Sequence, residues 1–298
     1  MEINNNNLIA YVNNEYVPLN KASISILDLG FTNSEMIYDT FRTFNKKPFF
    51  IEEHLKRLNF SSKYSGIPIL NKNKIKEIIS RLLKKNLQYL KLNEDLWCFI
   101  RFTRSGSTIV EMRKLNFKNY AQYYKDGLRL HVPSLKRIPA RYLNPHAKNS
   151  SSYFTLSLAR EEIWKFDRTA NAILLDEKNF INEGYGFNIF FVEGKNIYTP
   201  NRKNILCGVT REKIIRIAKK TGFIIKEKDI SLKDVEKFNE SFVTATGWGV
   251  CPVKSLNKKN FIDFGNQNNT TQKIQNEFSK IVKTDIVKQY LNFLNYFN

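Results

Sequence analysis

Two short segments carry residue types matched to chemistry: Asn182-Glu183-Gly184-Tyr185-Gly186-Phe187-Asn188 and Cys207-Gly208-Val209-Thr210-Arg211. The first sets a single carboxylate among glycines, just after an apolar strand pattern over 171–175 and its turn. The second is a glycine-to-threonine start for a helix whose apolar positions are Ile214, Ile215, Ile217 and Ala218. A helix start offers free N–H groups and, here, a hydroxyl, which suits a phosphate. A lone carboxylate in apolar company suits a cationic ring nitrogen. Together the segments point to a small molecule bearing both groups.

The elements that must position these residues follow from periodicity. Residues 8–17 alternate around Asn13-Asn14, a hairpin dipeptide. Strands are predicted at 36–44 and 49–51, separated by the turn Asn45-Lys46-Lys47-Pro48, and further on at 97–103 and 127–132. Helical spacing covers 52–64, through Leu55 and Leu58, and 73–90, where Ile75, Ile78, Ile79, Leu82 and Leu83 share one face. Residues 133–145 are rich in proline and arginine and read as a connector. Beyond it come a helix at 153–164, a strand meander through 172–175, 186–193 and 197–199, and a helix at 211–221. Strands at 223–227 and 242–244 follow, then one or two helices over 274–296. Hairpin-paired strands followed by helices in each half make an α+β protein. Two domains are expected, 1–132 and 147–298, joined by a connector at 133–146.

Composition narrows the class. A formal charge of +20 invites a nucleic-acid reading, but the basic residues spread from Lys21 to Lys288 with no concentrated stripe. A dispersed surface charge follows, whose field steers anionic small substrates. Cys98, Cys207 and Cys251 lie far apart without a CxxC, and only His54, His131 and His146 are present, so no metal site is expected. The polar segment 1–7 lacks the apolar core of a signal peptide. The longest apolar runs, such as 189–192, are strand-length and too short to span a bilayer. A cytoplasmic protein with no membrane contact is the expectation.

Several motifs, in order, resemble the class IV aminotransferases, the pyridoxal-phosphate enzymes that include branched-chain, D-amino-acid and (R)-amine transaminases and aminodeoxychorismate lyase. They are Glu53-His54-Leu55-Lys56-Arg57-Leu58, Lys148 with Tyr153, Glu183-Gly184-Tyr185-Gly186-Phe187-Asn188, Thr199-Pro200, Gly208-Val209-Thr210-Arg211, and Thr244-Ala245-Thr246 with Pro252-Val253. The resemblance covers roughly residues 9–253. It implies fold type IV, with a smaller N-terminal α/β domain, a larger C-terminal domain and the cofactor at the domain interface. It also implies a homodimer. Lys148 matches the Schiff-base lysine, an amine that must bond the cofactor aldehyde, leave, and shuttle a proton. Glu183 matches the partner of the pyridine nitrogen. Arg57, Val209, Thr210 and Thr246 match phosphate contacts, a guanidinium being suited to a bidentate grip. Tyr153 matches the contact to the cofactor's phenolic oxygen. His54 reads as a packing or hydrogen-bonding residue.

The substrate side follows no single subgroup. Asn33 stands where branched-chain enzymes carry tyrosine, while the Ser34-Glu35…Tyr38-Asp39 pattern is similar to the (R)-amine subgroup. The Tyr-x-Arg strand of branched-chain enzymes reads Phe99-Ile100-Arg101, and Thr103-Arg104 is similar to the D-amino-acid subgroup. Arg101 and Arg104 lie three apart, so a regular strand sends them to opposite faces and at most one reaches a pocket. Gly247-Trp248-Gly249 sets an indole beside Thr246, to narrow the pocket or to pack beneath the loop. The commonest family activity makes transfer from a branched-chain amino acid to a 2-oxo acid such as 2-oxoglutarate, through a Lys148 aldimine and pyridoxamine phosphate, the default. D-amino-acid or (R)-amine transfer, then a lyase releasing pyruvate, are the alternatives. A nucleic-acid-binding protein without catalysis is the alternative outside the family.

Overall fold

The computed structural model describes residues 5, 7–91, 93–264 and 266–295. Most of the polar N-terminal segment and Tyr296, the last residue of the expected closing helices, lie outside them. The chain forms two compact units, Met1–Asn116 with His146–Ser151, and Phe117–Pro145 with Ser152–Asn298.

In the first unit, strands β1 (Ile9–Val12) and β2 (Glu15–Pro18) form the expected hairpin. Asn13 and Asn14 both take positive φ, 46° and 77°, as a two-residue turn of the hairpin type requires. A short helix α1 (Leu29–Thr32) leads into β3 (Met36–Phe44). The strand expected at 49–51 is instead a two-residue β4 (Lys47–Pro48). Phe50 turns left-handed, φ 54°, as the residue before helix α2 (Ile51–Ser65), which ends the extended chain early. Helix α3 (Lys72–Asn86) is capped by the Asn71 side chain and closes in a 3-10 turn at Leu87–Tyr89, so the periodicity over 73–90 spans two kinds of helix. Strands β5 (Leu96–Thr103) and β6 (Thr108–Lys114) complete an antiparallel sheet of order β2-β1-β6-β5-β3-β4.

One face of this sheet packs on α2 and α3. Ile37, Phe41, Cys98, Ile100, Phe102, Val110 and Met112 meet Leu55, Leu58, Ile75, Ile78, Ile79 and Leu82 in a single apolar core. The two-residue alternation then assigns Tyr38, Thr40, Phe99 and Arg101 to the opposite face.

The second unit opens with helix α4 (Phe117–Asp126) and strand β7 (Leu128–His131). Helix α5 (Ser150–Trp164) has its first two residues in the first unit. Strands β8 (Ala170–Leu175), β9 (Ile181–Gly184), β10 (Asn188–Glu193) and β11 (Asn196–Thr199) follow. After them come α6 (Val209–Lys220), β12 (Ile224–Glu227), α7 (Leu232–Val235), β13 (Glu240–Ala245), β14 (Gly249–Leu256) and β15 (Lys259–Asn260). Helices α8 (Thr270–Val282) and α9 (Ile286–Asn295) close the described chain. The sheet runs β12-β11-β10-β13-β14-β7-β8-β9, with β15 on β14. Its β11–β12, β14–β7 and β7–β8 pairs are parallel and the rest antiparallel. Leu156, Ala159 and Ile163 of α5 pack on Ala170, Ala172 and Leu174 of β8.

Candidate active site

Lys148 lies on an extended segment beside the free end of β3. Its carbonyl accepts from the Tyr38 N–H, and Asn149 bridges Ile37. Its own N–H donates to Ser61 Oγ at 2.9 Å, and that hydroxyl donates to the Arg57 carbonyl at 3.1 Å, so α2 and the lysine segment are tied through one serine. The residue is 5% exposed. Its Nζ stands 4.5 Å from the centre of the Tyr38 ring, a cation–π distance.

Tyr38 is directly opposite Arg101 in the β3–β5 ladder, so their side chains share a face. Arg101 Nη1 pairs with Glu111 Oε1 at 2.9 Å and its guanidinium covers the Phe99 ring. Arg104, past the strand end, goes elsewhere. It pairs with Glu35 and donates to the carbonyls of Ser65 and Gly66, at the C-terminus of α2 where a cation is favoured. Only one of the two arginines therefore joins Tyr38. Asn33 is exposed at the C-terminal end of α1, its side chain reaching Glu35 Oε1 at 3.4 Å.

Arg57 is held from below by Asp39, a residue the sequence reading left without a role. Asp39 sits on the core face of β3 with no exposure, where an unpaired carboxylate is strongly disfavoured. Arg57 answers it through Nε to Oδ2 and Nη2 to Oδ1, both 2.8 Å. His54 Nδ1 lies 2.7 Å from Oδ1, and the Thr40 N–H donates to the same oxygen. Burial alone would raise the Asp39 carboxyl, but the Arg57 charge and the His54 bond hold it far below the ordinary carboxylate range. An ionised Asp39 only accepts, so His54 Nδ1 carries the proton. Burial, with the like charges of Arg57 and Lys148, outweighs the pull of Asp39 and keeps His54 neutral. Arg57 keeps 11% of its side-chain surface exposed.

The second unit contains the inverse arrangement. Glu183, at the end of β9, is 4% exposed. Its Oε1 accepts from Arg137 Nε at 3.0 Å, and its Oε2 from the Leu206 N–H at 2.9 Å and from Asn188 Nδ2 at 3.3 Å. Arg137, from the proline-rich segment, and Asn188 are the positioning residues missed from sequence. An ionised carboxylate has about four lone-pair sites. Three are filled here, which leaves room for one more donor, such as a protonated ring nitrogen.

Asn188 also ties the carboxylate to the start of α6. Its Nδ2 donates to the Leu206 carbonyl, and Gly208 lies so close that a Cβ there would overlap Asn188 Oδ1. Gly208 provides no side-chain cap, so the first N–H groups of α6, with buried Val209 and Thr210, are available to an anion. Arg211 is fully buried and binds the Pro200 carbonyl, Glu212 and Glu227, which explains why Thr199-Pro200 and the α6 motif occur together.

Tyr153 packs edge-on against Tyr185, and its hydroxyl would lie 3.7 Å from a Cβ at Gly186, in the turn beside Glu183. Thr244 stands opposite Asn188 in the β10–β13 ladder, and Thr246 begins the turn that follows β13. Gly247 is buried in that turn. Trp248 packs beneath it among Tyr120, Tyr123 and Phe187, and the Phe187 ring in turn fills the space that a side chain at Gly184 would need. The carboxylate, the helix start and the 246–248 turn thus form one connected set within this unit. A carboxylate with one acceptor site to spare and an uncapped helix N-terminus fit the ring nitrogen and the phosphate of pyridoxal phosphate.

Among the described residues no cluster of histidine, cysteine and carboxylates could hold a metal ion, and no helix is long and apolar enough to cross a membrane.

Comparison with known proteins agrees with this chemistry. A Methanocaldococcus jannaschii protein named for branched-chain-amino-acid aminotransferase is 28% identical over 283 residues, covering 91% of this chain and 95% of its own. The crystal structure of the Escherichia coli branched-chain amino acid aminotransferase superposes with a TM-score of 0.84 at 22% identity, covering 92% of this chain and 94% of that one. The branched-chain amino acid aminotransferase of Thermobaculum terrenum, in its PLP-bound holo form, gives a TM-score of 0.81 at 19% identity, covering 97% and 98%. These two likenesses establish the fold as type IV. The family model for amino-transferase class IV matches residues 36–256, well over half of the sequence. The chain therefore belongs to the class IV aminotransferases, enzymes that work with pyridoxal 5′-phosphate.

Proposed function

We propose that this aminotransferase moves the amino group of a branched-chain L-amino acid to a 2-oxo acid such as 2-oxoglutarate, as a homodimer in the cytoplasm. The observation that carries the reading is the shared face of Tyr38 and Arg101, with Lys148 Nζ over the Tyr38 ring. An amine that must hold and release a proton then lies on the same side as a guanidinium able to bind a substrate carboxylate. The names of the relatives support the branched-chain substrate.

Bound pyridoxal phosphate supplies an electron sink for the substrate's Cα. Lys148 would hold the cofactor through its aldehyde, and its Nζ would move a proton at the substrate's Cα. Glu183, oriented by Arg137, Asn188 and the Leu206 N–H, would accept from the protonated ring nitrogen. Arg57, Val209, Thr210 and Thr246 would hold the phosphate, and Tyr153 would orient the phenolic oxygen. Arg101, Tyr38, Asn33, Gly247 and Trp248 shape the substrate side, with Glu111 restraining Arg101.

The test is the visible absorption of the purified enzyme. Lys148→Ala is expected to lose the band of the lysine-bound cofactor and more than about 1,000-fold of activity. A band unchanged in the variant would remove Lys148 from this role. L-Leucine should discharge the wild-type band faster than D-alanine or an (R)-amine. The opposite order would favour the D-amino-acid or amine reading, and pyruvate released without an oxo-acid acceptor would mark a lyase. Light scattering checks the dimer.

A further inference from the structure

Two buried tyrosines lie outside every role assigned above. Tyr124 on α4 is 7% exposed and Tyr290 on α9 is fully buried. Their rings stack at 4.4 Å with 20° between planes. Their hydroxyls donate to consecutive main-chain carbonyls of one turn, Tyr290 to Gly247 and Tyr124 to Trp248. That turn, 246–248, joins β13 to β14, with Ala245 opposite Gly249, and Gly249, the first residue of β14, takes a left-handed φ of +69°.

Carbonyls of a hairpin loop ordinarily face water. Here two of them are turned inward onto phenols that gain nothing from solvent. Peptide bonds are trans, so each N–H points opposite to the preceding carbonyl. The Trp248 N–H therefore faces away from Tyr290, and the orientation of both peptides is set by the two hydroxyls. Rotating either peptide would break the hydrogen bond that a buried phenol makes to it. Gly249 is closed in as well, because a Cβ there would meet Phe278, Ile286 and the Tyr124 hydroxyl at 3.4–3.6 Å.

We infer that Tyr124 and Tyr290 are positioning residues, which fix the peptide orientations of the 246–248 turn so that it engages the phosphate of the cofactor. The inference rests on the reading of Thr246 as a phosphate contact. It makes the packing of α4 and α9 part of cofactor retention rather than of stability alone.

The experiment compares dissociation of pyridoxal phosphate and of pyridoxal, which lacks the phosphate, followed by absorbance. Tyr124→Phe and Tyr290→Phe keep the stacked rings and remove only the hydroxyls. Each is expected to weaken pyridoxal phosphate about five-fold and the pair about twenty-fold, the scale of one and two buried hydrogen bonds. Pyridoxal binding should be unchanged. Tyr198→Phe, which removes a hydroxyl bonded to Glu193 elsewhere in the unit, should change neither ligand. Equal weakening of both ligands, or no weakening, overturns the inference. If Thr246→Ala alone weakens pyridoxal phosphate, the Thr246 reading stands and the tyrosines only pack. If the tyrosine variants act and Thr246→Ala does not, the positioning role stands and the phosphate contact passes to the turn's backbone.

Discussion

The two units solve the same electrostatic problem with opposite signs. In the first, a buried acid, Asp39, aims an arginine; in the second, a buried arginine, Arg137, aims an acid. The difference lies in where the spare capacity is left. Asp39 is enclosed and spends its oxygens on Arg57, His54 and the Thr40 N–H, so the exposure that remains in this pair is Arg57's. In the Arg137–Glu183 pair both members are enclosed, Arg137 Nη1 has no hydrogen-bond partner, and the free acceptor site belongs to Glu183. In the proposed function, the cation assigned to a phosphate and the anion assigned to a ring nitrogen are thus each supported by a buried counter-charge. Without that support, burial would neutralise or disorder them.

Breaking one member of each pair tests this symmetry. Asp39→Asn should have the largest effect on stability, because it leaves Arg57 without its counter-ion against the core. A loss of about 3–5 kcal/mol in urea unfolding is expected, with weakened cofactor binding. Glu183→Gln keeps the shape and two acceptor positions, so it should cost less stability, about 1–3 kcal/mol, from the uncompensated Arg137. Its main effect should be on turnover, a fall of about 100-fold or more in kcat, read in single-turnover absorbance. If stability and turnover fall in the reverse order for the two variants, the pairs do not play matched roles.

Acidification sharpens the contrast, since only the first pair includes a histidine. His54 is held neutral, so the unfolded chain takes up its proton more readily than the folded one, and stability rises with pH. This contribution is present above about pH 6.5 and fades as pH falls below it. The depressed Asp39 carboxyl has the same sign but a lower window, its stabilisation declining only below the ordinary carboxylate value. Stability in urea should therefore drop by about 1 kcal/mol between pH 7 and pH 5.5, and His54→Asn should flatten that step. The smallest effect is reserved for Arg104→Ala. Its partly exposed pair with Glu35 lies outside both clamps, and a change below about 1 kcal/mol with unaltered kcat is expected.

Much of this was readable in the chain, and the omissions have physical causes. The Asn13-Asn14 hairpin and the strand at 36–44 were legible because turn residues, Asn13-Asn14 and Asn45 to Pro48, bound strand-length segments there. The strand Thr108–Lys114 was missed because only Val110 and Met112 mark its apolar face, while Glu111, paired to Arg101 and Arg113, lies on the other. The helix Phe117–Asp126 was missed because its apolar side is tyrosine, a weak helix former whose packing on α9 is a long-range contact. Within the site, residues carried by contiguous motifs could be named. Their supports could not. Asp39 reads as one acid in a strand and Arg137 as one arginine in a proline-rich stretch, and each becomes meaningful only when an element 18 or 46 positions away closes over it. The one signal was an acid at a core-facing position between Ile37 and Phe41.

The contact between Asn188 and Gly208 has a consequence for how such a chain can diverge. Any side chain at 208 pushes against the amide that also grips Glu183. Positions 188 and 208 are therefore not free to drift singly. A larger residue at one would survive only in a lineage that had already shortened the other and found Glu183 a new donor. The barrier to changing cofactor chemistry in this unit is then a requirement for simultaneous substitutions, while Asn33 and Arg104, held by exposed contacts, can wander one step at a time.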